Sequence, residues 1–181
     1  IDSLNFNPDG TIQKVIPTLR GVGLTNARSR IQIDRYSALQ GKGIGIEYLD
    51  KNNCFAGWKT LFSKSNTALI YNKVDFGNEK VVEITVRAKS AKGGVLVVRA
   101  DGTKGNIIAK VKIPRSAAWK NVRAQVLHAP QGVHALHVSL QSGADVEVDW
   151  IGFDGMPSMS QTRKASSMAI TTDCCVSSPS C

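Results

Sequence analysis

Two acidic residues near the end of the chain have the spacing of a catalytic pair. Glu147 and Asp149 lie two residues apart in a segment that alternates polar and apolar side chains. On a β-strand they would share one face at about 6–7 Å. A glycosidase needs two carboxylates roughly 5–10 Å apart across the sugar. Alternate acidic residues are also common on solvated strand faces, so this spacing alone does not predict an enzyme.

The other reactive side chains do not form a catalytic or metal site. His134 and His137 are three residues apart in a predicted strand, so they point to opposite faces and cannot bind one metal ion together. The four cysteines lack the paired C-x-x-C spacing of a zinc site. Cys54 either pairs with a cysteine of the C-terminal tail in an oxidising compartment or stays unpaired and inert. The chain also lacks the G-x-S-x-G, H-E-x-x-H and glycine-rich phosphate motifs, and we predict no catalysis by it.

Composition and charge limit the classes of partner. The chain has 181 residues, of which 42% are hydrophobic and 20% charged, as in ordinary globular domains. No apolar run approaches the roughly 18–20 residues of a spanning helix, so we expect no membrane partner. The formal charge is +9, but the basic residues are scattered, and we expect no nucleic acid. The chain starts at Ile1 with no leader pattern, which indicates a mature product or an excised piece.

The elements that carry these residues are predicted to be short β-strands. Residues 82–88 alternate apolar and polar side chains with a period of two. Similar runs, each bounded by Gly, Pro or Ser, cover 95–100, 107–113, 122–127, 133–140 and 146–153. No helical period intervenes, which disfavours a parallel α/β sheet. The pattern predicts an all-β protein, a β-sandwich jelly roll of antiparallel strands.

The chain divides into three parts by composition. Residues 1–28 form a lead-in with a turn signal at 7–10 and a short predicted strand at 11–15. Residues 29–154 contain the predicted sandwich. Residues 155–181 are rich in Ser, Thr, Met and Pro with little periodicity, so we predict a flexible tail.

Six segments of the predicted sandwich occur in an order known from one protein family. They are 30–34 (RIQID), 71–77 (YNKVDFG), 92–101 (KGGVLVVRAD), 118–122 (AWKNV), 132–136 (GVHAL) and 148–153 (VDWIGF). Together they resemble the motifs of family 6 carbohydrate-binding modules over about 125 residues. The resemblance implies a β-sandwich jelly roll of the kind found attached to xylanases, arabinofuranosidases and related hydrolases.

The lead-in carries a second resemblance. Residues 7–18 (NPDGTIQKVIPT) are similar to the segment that joins a family 43 glycoside hydrolase to such a module. This implies that residues 1–28 are a linker or remnant of an upstream hydrolase domain. The predicted function is then to target an attached, secreted hydrolase to plant cell-wall polysaccharide such as xylan or arabinoxylan, outside the cell or in the periplasm. The alternative is a structural accessory that packs on the hydrolase and has no sugar affinity of its own.

The resemblance also implies a set of sugar-binding residues. The family clamps one sugar between two aromatic rings in a cleft among the loops, and these rings fall on Trp119 and Phe62. Trp119 follows a small-residue segment that we expect to be a loop. The hydrogen-bonding positions fall on Glu47 and Glu147, where the family has a Glu and an Asn. A carboxylate accepts hydrogen bonds but cannot donate them, so Glu147 is a departure that could alter the sugar recognised.

Further family positions suggest extra surfaces and a cation. Trp58 could add a stacking surface, and Tyr71 could serve a second cleft on the concave face of the sandwich; for each, core packing is the alternative. The family also holds a structural calcium ion, and the matching ligand positions are Gln32, Asp34 and Asp149. Calcium prefers oxygen ligands, mostly carboxylates, and this set has less charge than that of the family.

Overall fold

The computed structural model describes residues 4–15 and 22–154. Twelve β-strands account for the regular structure of these residues. They are β1 (Thr25–Asn26), β2 (Ile31–Gln32), β3 (Ala38–Gln40), β4 (Ile44–Asp50), β5 (Asn53–Phe62), β6 (Ala68–Asp75), β7 (Glu83–Ser90), β8 (Gly94–Ala100), β9 (Ile107–Ile113), β10 (Ser116–Gln125), β11 (Val133–Gly143) and β12 (Val146–Phe153). In this part of the chain we find no helix that could cross a membrane.

The strands form two sheets. The first has the order β1-β6-β11-β8-β9, with β3 beside β6, and the second has the order β10-β7-β12-β5-β4, with β2 beside β12. All of these pairs are antiparallel except the short parallel pair β1–β6. Buried apolar residues from both sheets form one core cluster. The predicted antiparallel β-sandwich is therefore confirmed.

Alternation along the strands sorts side chains between the core and the outer faces. In β7, Ile84, Val86 and Ala88 are in the core, whereas Arg87 and Lys89 point outward and are partly exposed. The same rule makes the outer face of the second sheet a polar surface on which charged side chains of β4, β5, β7 and β12 are neighbours.

A β-bulge in β12 changes which residues lie outside the core. Val148 pairs with Ala88 and Trp150 with Arg87, so Asp149 is the extra residue. Trp150 is outside the core cluster, and the Arg30 guanidinium lies over its ring at 5.0 Å. The bulge therefore places Asp149 and Trp150 together on the outer side of the second sheet.

The sandwich begins earlier than the predicted boundary at residue 29. β1 pairs with β6, and Ala27 is fully buried, so these residues are part of the sandwich. Residues 4–15 contain one isolated bridge, Phe6 to Ile12, and no strand at 11–15. The predicted flexible tail, 155–181, lies outside the described residues.

Candidate functional site

The predicted aromatic residue Trp119 lies on a strand of the second sheet and not in a loop. Ser116 pairs with Ser90 and Lys120 with Ala88, so four residues of β10 advance while β7 advances two. This irregularity frees Trp119 from regular pairing. Its half-buried ring lies against two cations of the outer face, with Arg87 Cζ at 5.3 Å and Lys89 Nζ at 5.1 Å from the ring centroid.

A groove on this outer face is lined in part by Trp119 and has a volume of about 540 Å³. We call it the sheet-face groove. Its lining residues are Tyr48, Leu49, Asp50, Lys51, Ala56, Lys59, Arg87, Lys89 and Trp119. Strands β4, β5, β7 and β10 all contribute, so the sandwich itself positions the groove.

Two lysines join the predicted hydrogen-bonding residues in this region. Lys59 Nζ lies 2.5 Å from Glu147 Oε2 and 3.4 Å from Glu47 Oε2. Lys89 Nζ lies 3.2 Å from the same Glu147 oxygen. Burial alone would lower the pKa of Lys59, but the bonds to Glu147 and Glu47 outweigh it and leave that pKa raised. The structure thus brings Trp119, Glu47 and Glu147 to one face, connected by Lys59 and Lys89.

The lysines are functional candidates that the sequence reasoning missed. Lys59 lies directly across from Glu47 on the neighbouring strand, and opposite charges at cross-strand positions often pair. This pairing can be predicted only if the register of β4 and β5 is known, and the sequence did not reveal that register. Together the carboxylates accept and the ammonium groups donate hydrogen bonds, which suits a ligand rich in hydroxyl groups beside the flat ring of Trp119.

A second aromatic surface comes from the β4–β5 hairpin. The rings of Tyr48 and Trp58 are stacked with centroids 4.3 Å apart and an interplanar angle of 26°. Each side chain is 42% exposed, so the predicted stacking surface at Trp58 is open to a ligand. Tyr48 was not predicted. Phe55, in β5 of the same hairpin, is 95% exposed. It lines neither the sheet-face groove nor the second cavity of this face, which is described below.

Two predicted binding residues belong instead to the core. Phe62 is fully buried and part of the core cluster, because it is three residues from the outward-facing Lys59 and strand alternation turns it inward. Tyr71 is also fully buried, and its hydroxyl donates a hydrogen bond to the carbonyl oxygen of Ile33 at 2.5 Å. Burial raises the pKa of Tyr71 well above its ordinary value. Neither ring is accessible to a sugar, so both assignments are corrected.

The residues implied as calcium ligands do meet in one cavity. We call this cavity, of about 340 Å³, the arginine pocket, and it shares Leu49, Ala56 and Arg87 with the sheet-face groove. Its other lining residues are Arg30, Gln32, Asp34, Arg35, Gly57, Trp58, Asp149 and Trp150. The two cavities are therefore adjacent on the second sheet.

The donor set of the arginine pocket does not fit calcium. Asp149 is buried and forms an ion pair with Arg87. Burial raises the pKa of Asp149, an effect that the Arg87 bond partly offsets. Three guanidinium groups line a pocket that has two carboxylates, whereas calcium takes six to eight oxygen ligands. Among the described residues, no three His, Cys, Asp or Glu side chains are grouped to hold a metal.

The same ion pairs bear on the carboxylates first considered as a catalytic pair. Glu147 is bound by Lys59 and Lys89, and Asp149 by Arg87. Each carboxylate is held by cations of its own sheet and is not directed at a shared point across an open cleft. This arrangement fits a binding role and gives no support to glycosidase chemistry.

A separate groove of about 320 Å³ lies on the first sheet. Its lining includes the polar residues Gln40, Asn66, Arg99, Ser139 and Gln141. None of its lining residues is aromatic, so it offers no ring for the C–H face of a sugar. The sheet-face groove is the stronger candidate site.

Comparisons with known proteins identify the family and the fold. A family model described as carbohydrate binding module (family 6) matches residues 38–155. No curated protein matches the chain. A solved module from Clostridium stercorarium in complex with cellobiose is 21% identical, with a TM-score of 0.65 over 73% of this chain and 97% of that one. A module from Clostridium cellulolyticum in complex with xylose is 25% identical, with a TM-score of 0.63 over 72% and 100%.

One larger structure is also similar. It is a glycoside hydrolase family 43 arabinoxylan arabinofuranohydrolase from Bacillus subtilis in complex with cellotetraose, 20% identical with a TM-score of 0.66. The match covers 84% of this chain but 33% of the enzyme. The likeness is therefore to one part of that enzyme.

Proposed function

This chain belongs to carbohydrate-binding module family 6, a family of non-catalytic binding domains, and from that premise we propose that its sheet-face groove binds plant cell-wall polysaccharide. Xylan and arabinoxylan are the proposed glycans. The proposed role is to keep an attached glycoside hydrolase on its substrate. Because such polysaccharides lie outside the cell, we also propose that the protein is secreted.

The observation that carries this proposal is the convergence of Trp119, Glu47 and Glu147 on one face. The Trp119 ring supplies a flat apolar surface for the C–H face of a sugar. Lys59 and Lys89 hold the two carboxylates in place, with Nζ to oxygen distances of 2.5–3.4 Å. Hydroxyl groups of a bound sugar can donate to the carboxylates and accept from the ammonium groups.

Binding through one partly exposed tryptophan and a shallow groove is expected to be modest. A tether converts such modest affinity into a high effective concentration of the enzyme on its substrate. Thus the module does not need a deep pocket to be useful to an attached hydrolase.

The choice of glycan and of partner is supported by the solved relatives. One module is in complex with xylose, and the similar enzyme is an arabinoxylan arabinofuranohydrolase of family 43. The match to that enzyme covers 84% of this chain, against 72–73% for the two isolated modules. On this likeness we propose such a hydrolase as the attached partner.

Titration calorimetry with xylo- and arabinoxylo-oligosaccharides tests this proposal. We expect wild-type protein to bind, the Trp119→Ala variant to lose binding, and the Phe55→Ala variant to bind as wild type does. Phe55 is the matched control because it is an exposed aromatic outside the groove. Unchanged affinity in Trp119→Ala would remove Trp119 from the site.

A structural accessory without sugar affinity is the second candidate. It is favoured by the absence of a second ring facing Trp119 at the predicted position, since Phe62 is in the core, and by the pairing of both glutamates with lysines. A retention screen on insoluble glycans separates the two functions. Retention on none of them would favour the accessory role.

A further inference from the structure

The arginine pocket has an excess of positive charge. Arg30, Arg35 and Arg87 face Asp34 and Asp149, which leaves a formal charge of +1 in the pocket. The buried Asp149 is neutralised by Arg87. Arg30 and Arg35 are exposed, and neither has a carboxylate within 4.0 Å among the described residues. Two guanidinium groups are therefore free to meet a ligand.

The pocket is built to receive an oxyanion. A guanidinium group presents a rigid fork of N–H donors that matches carboxylate and similar oxyanions, often with two parallel hydrogen bonds. Arg30 is oriented by its contact with the Trp150 ring at 5.0 Å. Trp58, which also lines the pocket, is 42% exposed and can cover the sugar that carries the anion.

The position of the pocket links it to the sheet-face groove. Leu49, Ala56 and Arg87 line both cavities. A polysaccharide chain lying in the groove beside Trp119 can therefore place a side group, or its next residue, in the arginine pocket. In the groove, Lys59 and Lys89 are paired with glutamates, but Lys51 has no carboxylate within 4.0 Å among the described residues. The whole chain carries a formal charge of +9. The unpaired lysine and the net positive charge of the protein both attract an acidic polysaccharide.

We propose that the arginine pocket binds an anionic substituent of the glycan in the sheet-face groove, so that this module prefers acidic polysaccharide. The substituent is a carboxylate, as in a uronic acid, or a sulfate ester. This inference rests on the proposed function, because it names the class of glycan bound at the same site. Arg30 and Arg35 are its specificity residues, whereas Trp119 serves neutral and acidic sugars alike.

Matched pairs of glycans test the preference by titration calorimetry. Neutral xylo-oligosaccharides are compared with xylo-oligosaccharides of the same length that carry glucuronic acid, and, in a second pair, with xylo-oligosaccharides of the same length that carry sulfate esters. We expect the acidic member of at least one pair to bind about tenfold tighter, the gain of one charge-assisted hydrogen bond. The pair that shows the gain distinguishes a carboxylate from a sulfate ligand. The gain should shrink as salt is added.

Variants separate the pocket from general charge attraction. Arg30→Ala/Arg35→Ala should lose the tenfold preference and keep its affinity for the neutral sugar. Lys110→Ala/Lys112→Ala removes the same charge from exposed positions of β9, on the other sheet, and should keep the preference. Thermal unfolding confirms that both variants fold, and Arg35→Ala alone gives a milder test of the same pocket.

Three results would overturn the inference. Equal affinity for both members of both pairs would show that the pocket does not recognise an anionic substituent. An equal loss of preference in the arginine and lysine variants would assign it to net charge. Binding of no sugar at all would overturn the proposed function and this inference with it, whereas binding of neutral sugars without a preference would leave the proposed function intact.

Discussion

The strongest structural prediction concerns Lys59, which joins the two predicted hydrogen-bonding glutamates. A Lys59→Met substitution keeps a long unbranched side chain but removes the ammonium group. The Lys59 side chain is 10% exposed, and its Nζ lies 2.5 Å from Glu147 and 3.4 Å from Glu47. We expect the variant to fold with a lower free energy of unfolding, because Glu147 loses its nearest cation.

The magnitude follows from what remains around Glu147. A hydrogen bond to a charged group contributes about 1.5–3 kcal/mol. Glu147 keeps Lys89 at 3.2 Å and is 23% exposed, and Glu47 is 43% exposed and adds little. We therefore expect a loss near the lower limit, about 1.5 kcal/mol, which lowers the Tm by about 3–6 °C.

The sign of the pH dependence is also determined. The pKa of Lys59 is raised above its ordinary value of 10.5. A raised folded-state pKa gives stabilisation that is fully present below the unfolded pKa and is lost as the pH rises through the folded one. The effect of Lys59→Met is thus constant through neutral pH and declines in strong alkali.

Urea unfolding of a double-mutant cycle measures the interaction. The four proteins are the wild type, Lys59→Met, Glu147→Gln and the double variant. We expect an interaction free energy of about 1 kcal/mol between the two sites. Additive single effects, or a loss below about 0.5 kcal/mol in Lys59→Met, would refute the view that this pair stabilises the face that carries the groove.

Three further predictions use other parts of the molecule. Tyr71→Phe should lower the free energy of unfolding by about 1–3 kcal/mol, because the buried Ile33 carbonyl loses its donor; a fall in sugar affinity in a folded variant would return Tyr71 to the binding site. The pKa of His134 is raised and that of Asp101 lowered, chiefly by their mutual hydrogen bond. The free energy of unfolding of the wild type, relative to that of His134→Ala, should therefore be highest between about pH 4 and 6.5. It should fall by about 0.5 kcal/mol as the pH rises through the folded His134 pKa. A difference between the two proteins that does not change with pH in chemical denaturation would show that this pair does not stabilise the fold. Neither excess calcium nor EDTA should shift the Tm, since Arg87 already pairs with Asp149; a drop with EDTA would restore a metal at Asp34 and Asp149.

The sandwich could be predicted from the sequence because its central strands alternate regularly. Residues 107–113 and 146–153 were predicted with the bounds of β9 and β12. β4 and β5 were not predicted, since residues 44–62 mix glycine, aromatic and polar residues without a clean period of two. Their register decides which side chains meet, so the sequence alone did not show Lys59 beside Glu47.

The candidate site was predicted in part for the same reason. Trp119 and Glu147 were assigned from family motifs and Glu47 from its family position. All three lie on one face of the second sheet and not in the predicted loop cleft. Phe62 was placed by counting back from a motif, and a shift of three residues on a strand exchanges the outer face for the core. The Arg87–Asp149 pair depends on the bulge in β12, which the local sequence does not mark.

The central claim is that sugar binds in the sheet-face groove beside Trp119. An NMR titration of ¹⁵N-labelled protein with an arabinoxylan oligosaccharide tests it most directly, because each of the three tryptophans reports through its own indole N–H. We predict large shifts of the Trp119 indole and of the Lys59 and Lys89 amides. Shifts confined to Gln40, Arg99 and Gln141 on the first sheet, or no shifts at all, would contradict the claim.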